Sequence, residues 1–293
     1  MGHVVGKRGI YMFELIVAAA LLAAPAAAAA PQPAAAAPAA SGGKWVAHWA
    51  SDKCWLLRGA EMPSGAIFAI GRTPGTETLT IRFVEPGWSK SPAAPGEEIA
   101  FALDAGRPPL AGKTYFIPDS VYSSPLDRAH VLFTSPDSAL PARLAAATSL
   151  SVLAGGREVA RTKLPAMAKA MEAFRSCEED ALAAWGVDVA ALAALRSRPR
   201  LPENAPPILK TDDYPMELLR QNVTGSPTMR IRIDETGKPI TCAVVATSGN
   251  EVIDQKSCAL TMERAHYIPA VDAAGRNVAA DYVTTYYWLI PAS

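Results

Sequence analysis

The chain has 293 residues, with 28 basic and 28 acidic side chains and a formal net charge of zero at neutral pH. That length suits two modest domains at about 150 residues each. The balance of charge argues against a polyanion-binding protein, which carries a basic excess, so no nucleic-acid partner is expected.

Lys7 and Arg8 precede an apolar run from Leu15 to Ala24, which Pro25 interrupts before alanines resume to Ala30. A basic flank, a short apolar stretch and small residues at its end describe a secretory signal peptide over 1–30. Counting on through Ala30 lengthens the run towards the ~20 residues a spanning helix needs, and a retained segment would act as an inner-membrane anchor. Removing 1–30 takes Lys7, Arg8 and Glu14, leaving 26 basic and 27 acidic residues. A near-neutral periplasmic protein is therefore expected. Residues 31–43, PQPAAAAPAASGG, form an Ala/Pro-rich spacer with too little side chain to fold.

The next segment, 44–196, reads as a strand-rich domain. Short apolar runs at Trp45–Trp49, Trp55–Leu57, Ala66–Ile70, Thr78–Val84, Ile99–Leu103, Val131–Phe133 and Ser149–Leu153 are punctuated by Pro-Gly and Gly-Gly turns. That pattern fits an antiparallel sandwich or barrel. At its end Met167, Met171, Phe174, Cys177, Ala181, Leu182 and Trp185 recur at helical spacing, predicting a closing helix over 165–184. The adjacent acids Glu178, Glu179 and Asp180 read as a solvated helix face. Residues 197–209 are a Pro-rich linker that excludes regular structure.

Four cysteines, Cys54, Cys177, Cys242 and Cys258, remain after export. An even number in an exported chain suggests disulfides, and three pairings exist. The domain split favours Cys54–Cys177 and Cys242–Cys258, each closing within one domain; buried thiols are the alternative. No C-x-x-C spacing is present and the histidines are scattered, so no metal is expected.

In the last segment, 210–293, Tyr214-Pro215 starts a short amphipathic helix that ends near Gly225. Thr228 to Ile233 alternates apolar and charged residues as a half-solvated strand does. Asp234–Gly237 is a hairpin turn, and Pro239 to Thr247 a second strand. Val252 to Arg264 is helical, with Ile253, Leu260 and Cys258 facing inward. After a turn at Asp272–Gly275, Tyr282 to Ile290 is a final strand rich in β-branched and aromatic residues.

The order YP…LLRQNVTG, D-x-x-G-K-P-I, CAVVATSGNEVID…C, AHYIPAVDAAGRNV and VTTYYWLIP, near-collinear over 210–291, resembles the TonB C-terminal domain family. It is most similar to the form in which two cysteines bracket the second strand and second helix. The resemblance implies a small α+β unit with an antiparallel sheet packed on helices; together with the mainly antiparallel β domain and closing helix read above, the chain is expected to be α+β overall. The resemblance also implies β-augmentation, in which an extended segment of an outer-membrane transporter adds to an exposed sheet edge. The implied surface is the final strand: Val283, Thr284, Thr285, Tyr286, Tyr287, Trp288 and Leu289. The expected partner is an outer-membrane TonB-dependent transporter or another envelope protein. The same edge would also permit a homodimer.

The chain departs from a full energy transducer, having no Ser or His between Leu15 and Ala30 and only a short spacer. A membrane-anchored short TonB homologue and a disulfide-stapled structural or stress protein are the alternatives to a periplasmic binding protein. No catalytic residues are expected. His48, His130 and His266 sit in unrelated contexts, with no G-x-S-x-G or H-E-x-x-H motif. A pocket bringing His48 or His130 against a carboxylate would reverse that reading. No cofactor is expected.

Overall fold

The computed structural model describes residues 44–50, 52–58, 67–85, 88, 90–104, 106–117 and 130–290. The expected signal peptide and spacer over 1–43 lie outside them. Among the described residues no helix is long and apolar enough to cross a membrane.

The chain is α+β. Its first part contains strands β1 (Val46–Ala50), β2 (Lys53–Arg58), β3 (Ile67–Arg72), β4 (Leu79–Val84), β5 (Ile99–Leu103), β6 (Lys113–Ile117), β7 (His130–Ser135), β8 (Ser149–Ala154) and β9 (Arg157–Lys163). Helices α1 (Leu140–Ala146), α2 (Met167–Ala184) and α3 (Val189–Ala193) complete it. One antiparallel sheet runs β1-β2-β3-β4-β7-β6 and the other β5-β8-β9. Phe68, Phe83, Phe101 and Phe133 fill the space between them, joined by Leu140 and Leu144 of α1 and Phe174 of α2.

Helix α2 forms where the apolar period indicates. Met167, Ala170, Met171 and Phe174 are buried along one face. Cys177 on that side bridges to Cys54 of β2, with Cα atoms 6.0 Å apart. Glu178 corrects the sequence reading. Four residues after Phe174, it lies on the inward face rather than a solvated one, with its side chain 7% exposed. Arg72, at the end of β3, satisfies it: Nε and Nη2 donate to the two carboxylate oxygens at 2.5 Å each.

The second part carries α4 (Met216–Arg220), β10 (Thr228–Ile233), β11 (Pro239–Ala246), α5 (Glu251–Arg264), β12 (Ala270–Val271), β13 (Asn277–Val278) and β14 (Ala280–Thr285). Its sheet runs β11-β10-β14, antiparallel throughout. Asn250 caps α5 by accepting from the Val252 and Ile253 amides. Ile253 and Leu260 then pack on Met229, Ile231 and Ile233. Cys258 is half-buried and bonds to Cys242, stapling α5 to β11.

Two local expectations are corrected here. Helix α4 stops at Arg220, because Asn222 takes a left-handed conformation (φ 54°) and reverses the chain. Gly225 instead pairs with Trp288 as an isolated bridge. The final strand is regular over 280–285 rather than 282–290. Opposite Tyr286 stands Pro227, which accepts from the Tyr286 amide but has no N–H to return, so the ladder breaks there.

The Pro-rich linker is ordered against the second part. Ser197 bridges to Val271 and Arg200 to Ile268, so a segment without regular structure of its own borrows a strand's hydrogen bonds. A third apolar cluster joins the two parts: Leu182, Trp185, Val187 and Leu192 meet Val245 and Val283. Trp49 packs edge-on against Trp185 at 5.3 Å.

Candidate functional site

Among the described residues strand β14 has one partner. Its register against β10 runs from Ala280↔Ile233 to Thr285↔Thr228 without a bulge. Beyond it the Tyr286 amide donates to the Pro227 carbonyl at 3.1 Å, and Trp288 exchanges both backbone bonds with Gly225 at 2.8 and 3.2 Å. In an antiparallel ladder the main-chain groups of alternate residues point to opposite sides. The even-numbered residues therefore face β10. The N–H and C=O groups of Asp281, Val283, Thr285 and Tyr287 face away from it, and they make no backbone hydrogen bond among the described residues.

A groove of about 600 Å3 lies along this outer edge. Residues 281–285 and Tyr287 form its floor. One wall is the turn between β3 and β4, Thr73 to Thr80; the other is the linker from Arg198 to Leu201, with Glu203. The volume falls within the ~300–1,000 Å3 of ordinary ligand sites.

The first part of the chain is fixed against this strand at the Thr285 end and near the middle of the groove. At the β1–β2 hairpin tip, Asp52 Oδ2 accepts from Thr73 Oγ1 and Thr228 Oγ1 at 3.2 Å and from Thr285 Oγ1 at 3.5 Å. Near the middle, Gly75 rests on Val283: a Cβ there would sit 3.0 Å from the Val283 Cβ and 3.2 Å from Leu182 Cδ2. Gly75 also has φ +86°, so glycine suits both the turn and the close approach. From β10, Arg230 donates to the Trp185 carbonyl at 2.7 Å.

The charges around the groove fall into paired and unpaired groups. Lys53 is held by Asp52 and Arg72 by Glu178. Asp281 lies between Arg230 and Arg232, at 3.6 and 3.3 Å. Arg198 makes no hydrogen bond or ion pair among the described residues. Loss of hydration, and then the neighbouring Arg72 charge, press its pKa down, though the side chain keeps access to solvent through the groove mouth. Behind the strand, burial raises the hydroxyl pKa values of Tyr267, Tyr282 and Tyr286, so all three stay neutral.

The final-strand residues named from the sequence divide into two sets. Val283, Thr284, Thr285 and Tyr287 line the groove. Trp288 is 3% exposed and donates through Nε1 to Ser257 Oγ at 2.8 Å, so it belongs to the core. Tyr286 packs on that core beside Thr261, and Leu289 is exposed past the ladder. Sequence reasoning missed Asp281, the β3–β4 turn and the linker wall, none of which carries a local signal. His48, its pKa lowered by burial, does not line the groove, and neither do His130 and His266. Among the described residues no three His, Cys, Asp or Glu side chains converge as a metal ion would require.

Residues 210–289 match the family model for the Gram-negative bacterial TonB protein C-terminal. The second part of the chain is a TonB-like domain. No curated protein matches the chain. The TonB-like domain supplies the floor of the groove, with β14 inside the matched span. The match ends short of both walls: the linker from Arg198 to Glu203 and the turn from Thr73 to Thr80 precede it.

Proposed function

We propose that this chain is a non-enzymatic periplasmic binding protein whose TonB-like domain takes up an extended segment of an outer-membrane receptor by strand addition. The observation that carries the reading is the unpaired outer edge of β14. Its alternate N–H and C=O groups face a groove and lack a ladder partner among the described residues. An extended peptide satisfies such groups with its own main chain, while its alternate side chains meet the walls. The unbulged register makes β14 a straight template.

Catalysis has no support in this arrangement. Among the described residues the groove lining has no serine, cysteine or histidine, and its acids serve ion pairs or stand apart.

The test is anisotropy of fluorescein-labelled TonB-box peptides titrated with the full chain. Saturable binding is expected, together with a loss of about tenfold or more in Tyr287→Pro. Tyr287 is 59% exposed and its amide points away from β10, so proline there removes an outward donor and spares the β10 ladder. Binding that survives Tyr287→Pro unchanged would move the site elsewhere, and no binding at all would sink the reading.

A further inference from the structure

Strand addition alone gives the first part of the chain no role at the groove, yet the groove has walls only because that part and the linker are there. A peptide paired with β14 would lie between the Thr73–Thr80 turn and the Arg198–Glu203 segment. Its side chains would therefore be read on the flanks, and the charges on those flanks decide what is accepted.

Arg72 already has a bidentate carboxylate in Glu178. Arg198 stands close enough to this pair to feel both charges but bonds to neither. Arg198 therefore presents a guanidinium with no bonded carboxylate to a space of peptide size. A guanidinium offers a planar fork of donors suited to a carboxylate. Glu77 on the opposite wall is near enough to act on Arg198 electrostatically, yet it forms no ion pair among the described residues. Glu203 stands at the other end of the linker wall. An incoming acid is thus attracted along the linker wall that carries Arg198 and repelled beside Glu77 and Glu203.

Resting on the strand-addition reading, we propose that the groove selects an extended peptide carrying one carboxylate side chain, and that Arg198 is the residue that pairs with it. Specificity then resides in the linker and the first domain, while the TonB-like domain supplies the sequence-independent main-chain bonds. The selectivity is positional: one acid at one step of the strand.

The experiment uses the full chain and a set of peptides of about eight residues, alternating threonine and valine, with a single glutamate stepped through the central positions. Each has a glutamine twin. One position is expected to bind about tenfold more tightly than its glutamine twin, the scale of a charge-assisted hydrogen bond. Arg198→Gln should abolish that difference, Arg198→Lys should restore part of it, and the preference should weaken with added salt. Thermal unfolding of Arg198→Gln should match the parent, since Arg198 bonds to nothing among the described residues. Equal binding of all twins, lost in Tyr287→Pro, would overturn the role of Arg198 while leaving strand addition standing. No binding by any peptide would overturn both.

Discussion

Among the described residues the two outer strands of the TonB-like sheet, β11 and β14, both present a free edge, and they are built differently. Strand β11 begins at Pro239, carries irregularities opposite both ends of β10, and is tied to α5 by Cys242–Cys258. Strand β14 pairs residue for residue with β10, contains no proline, and looks onto a groove walled by another part of the chain. Bulges and proline twist an edge and remove donors, which is how sheets discourage pairing. One edge is closed to partners by its own irregularity. The other is left regular, and access to it is restricted by covering it rather than by distorting it.

The largest effect expected from breaking this contrast comes from the bridge behind the groove. Cys54–Cys177 ties α2 to β2, and α2 carries Glu178, which fixes Arg72 at the root of the turn wall. The bridge spans 123 residues, and in the chain-entropy model its removal by Cys54→Ala with Cys177→Ala costs at most about 5 kcal/mol. Removing Cys242–Cys258, with a separation of 16, costs about 3 kcal/mol in the same model. Urea unfolding of the two double variants should give that order. Peptide affinity at low denaturant should fall in the first and stay within about twofold of the parent in the second. The reverse pattern would place the binding edge at β11.

A smaller effect separates the edges directly. Ile240 on β11 is exposed and has no partner in the β10 register, which steps from Thr241 to Pro239. Ile240→Pro should leave the peptide dissociation constant nearly unchanged, whereas Tyr287→Pro raises it about tenfold or more, roughly 1.4 kcal/mol. Asp52→Ala probes the end of the covered edge. It strips the acceptor shared by three threonine hydroxyls, and the remaining Thr228–Thr285 bond at 2.7 Å recovers part of the loss. About 1 kcal/mol of stability should go, with Asp52→Asn retaining most of it. Equal behaviour of the Ala and Asn variants would show that the hairpin tip is not an anchor.

Much of the TonB-like domain is legible in its sequence because its signals are local. Alternation marks β10, the Asp234 turn closes β10 on β11, and Asn250 caps α5. Strand β9, REVARTK, is harder to see. As an edge strand it is exposed or half-buried at nearly every position, so no apolar alternation survives. Strand β6 is an edge strand too, and its burial is similarly weak. The groove is invisible in the sequence for a different reason. Its members lie near positions 53, 75, 200 and 283, and only tertiary packing assembles them. Arg198 sits in a stretch that composition marks as linker, where a charged residue carries no expectation of a role.

The smallest effect lies on the flank away from the groove, and it is a pH dependence. Arg264 at the end of α5 donates to both oxygens of Asp213, at 2.6 and 2.9 Å. Those hydrogen bonds lower the Asp213 pKa to about 2, with the Lys210 amide assisting. Unfolded, the same carboxyl titrates near ~3.9. The folded value is the lower one, so the stabilisation is complete above the unfolded pKa and fades as pH falls from about 4 towards 2. Both partners keep contact with water, which screens the pair and keeps the effect small. Thermal unfolding of the parent and of Asp213→Asn should therefore differ at pH 6 and converge near pH 2. Asp213 does not line the groove, so the variant should bind peptide at pH 7 as the parent does. Weakened binding would mean that the segment entering α4 helps to set the β14 edge, and would end the separation between the two flanks of the sheet.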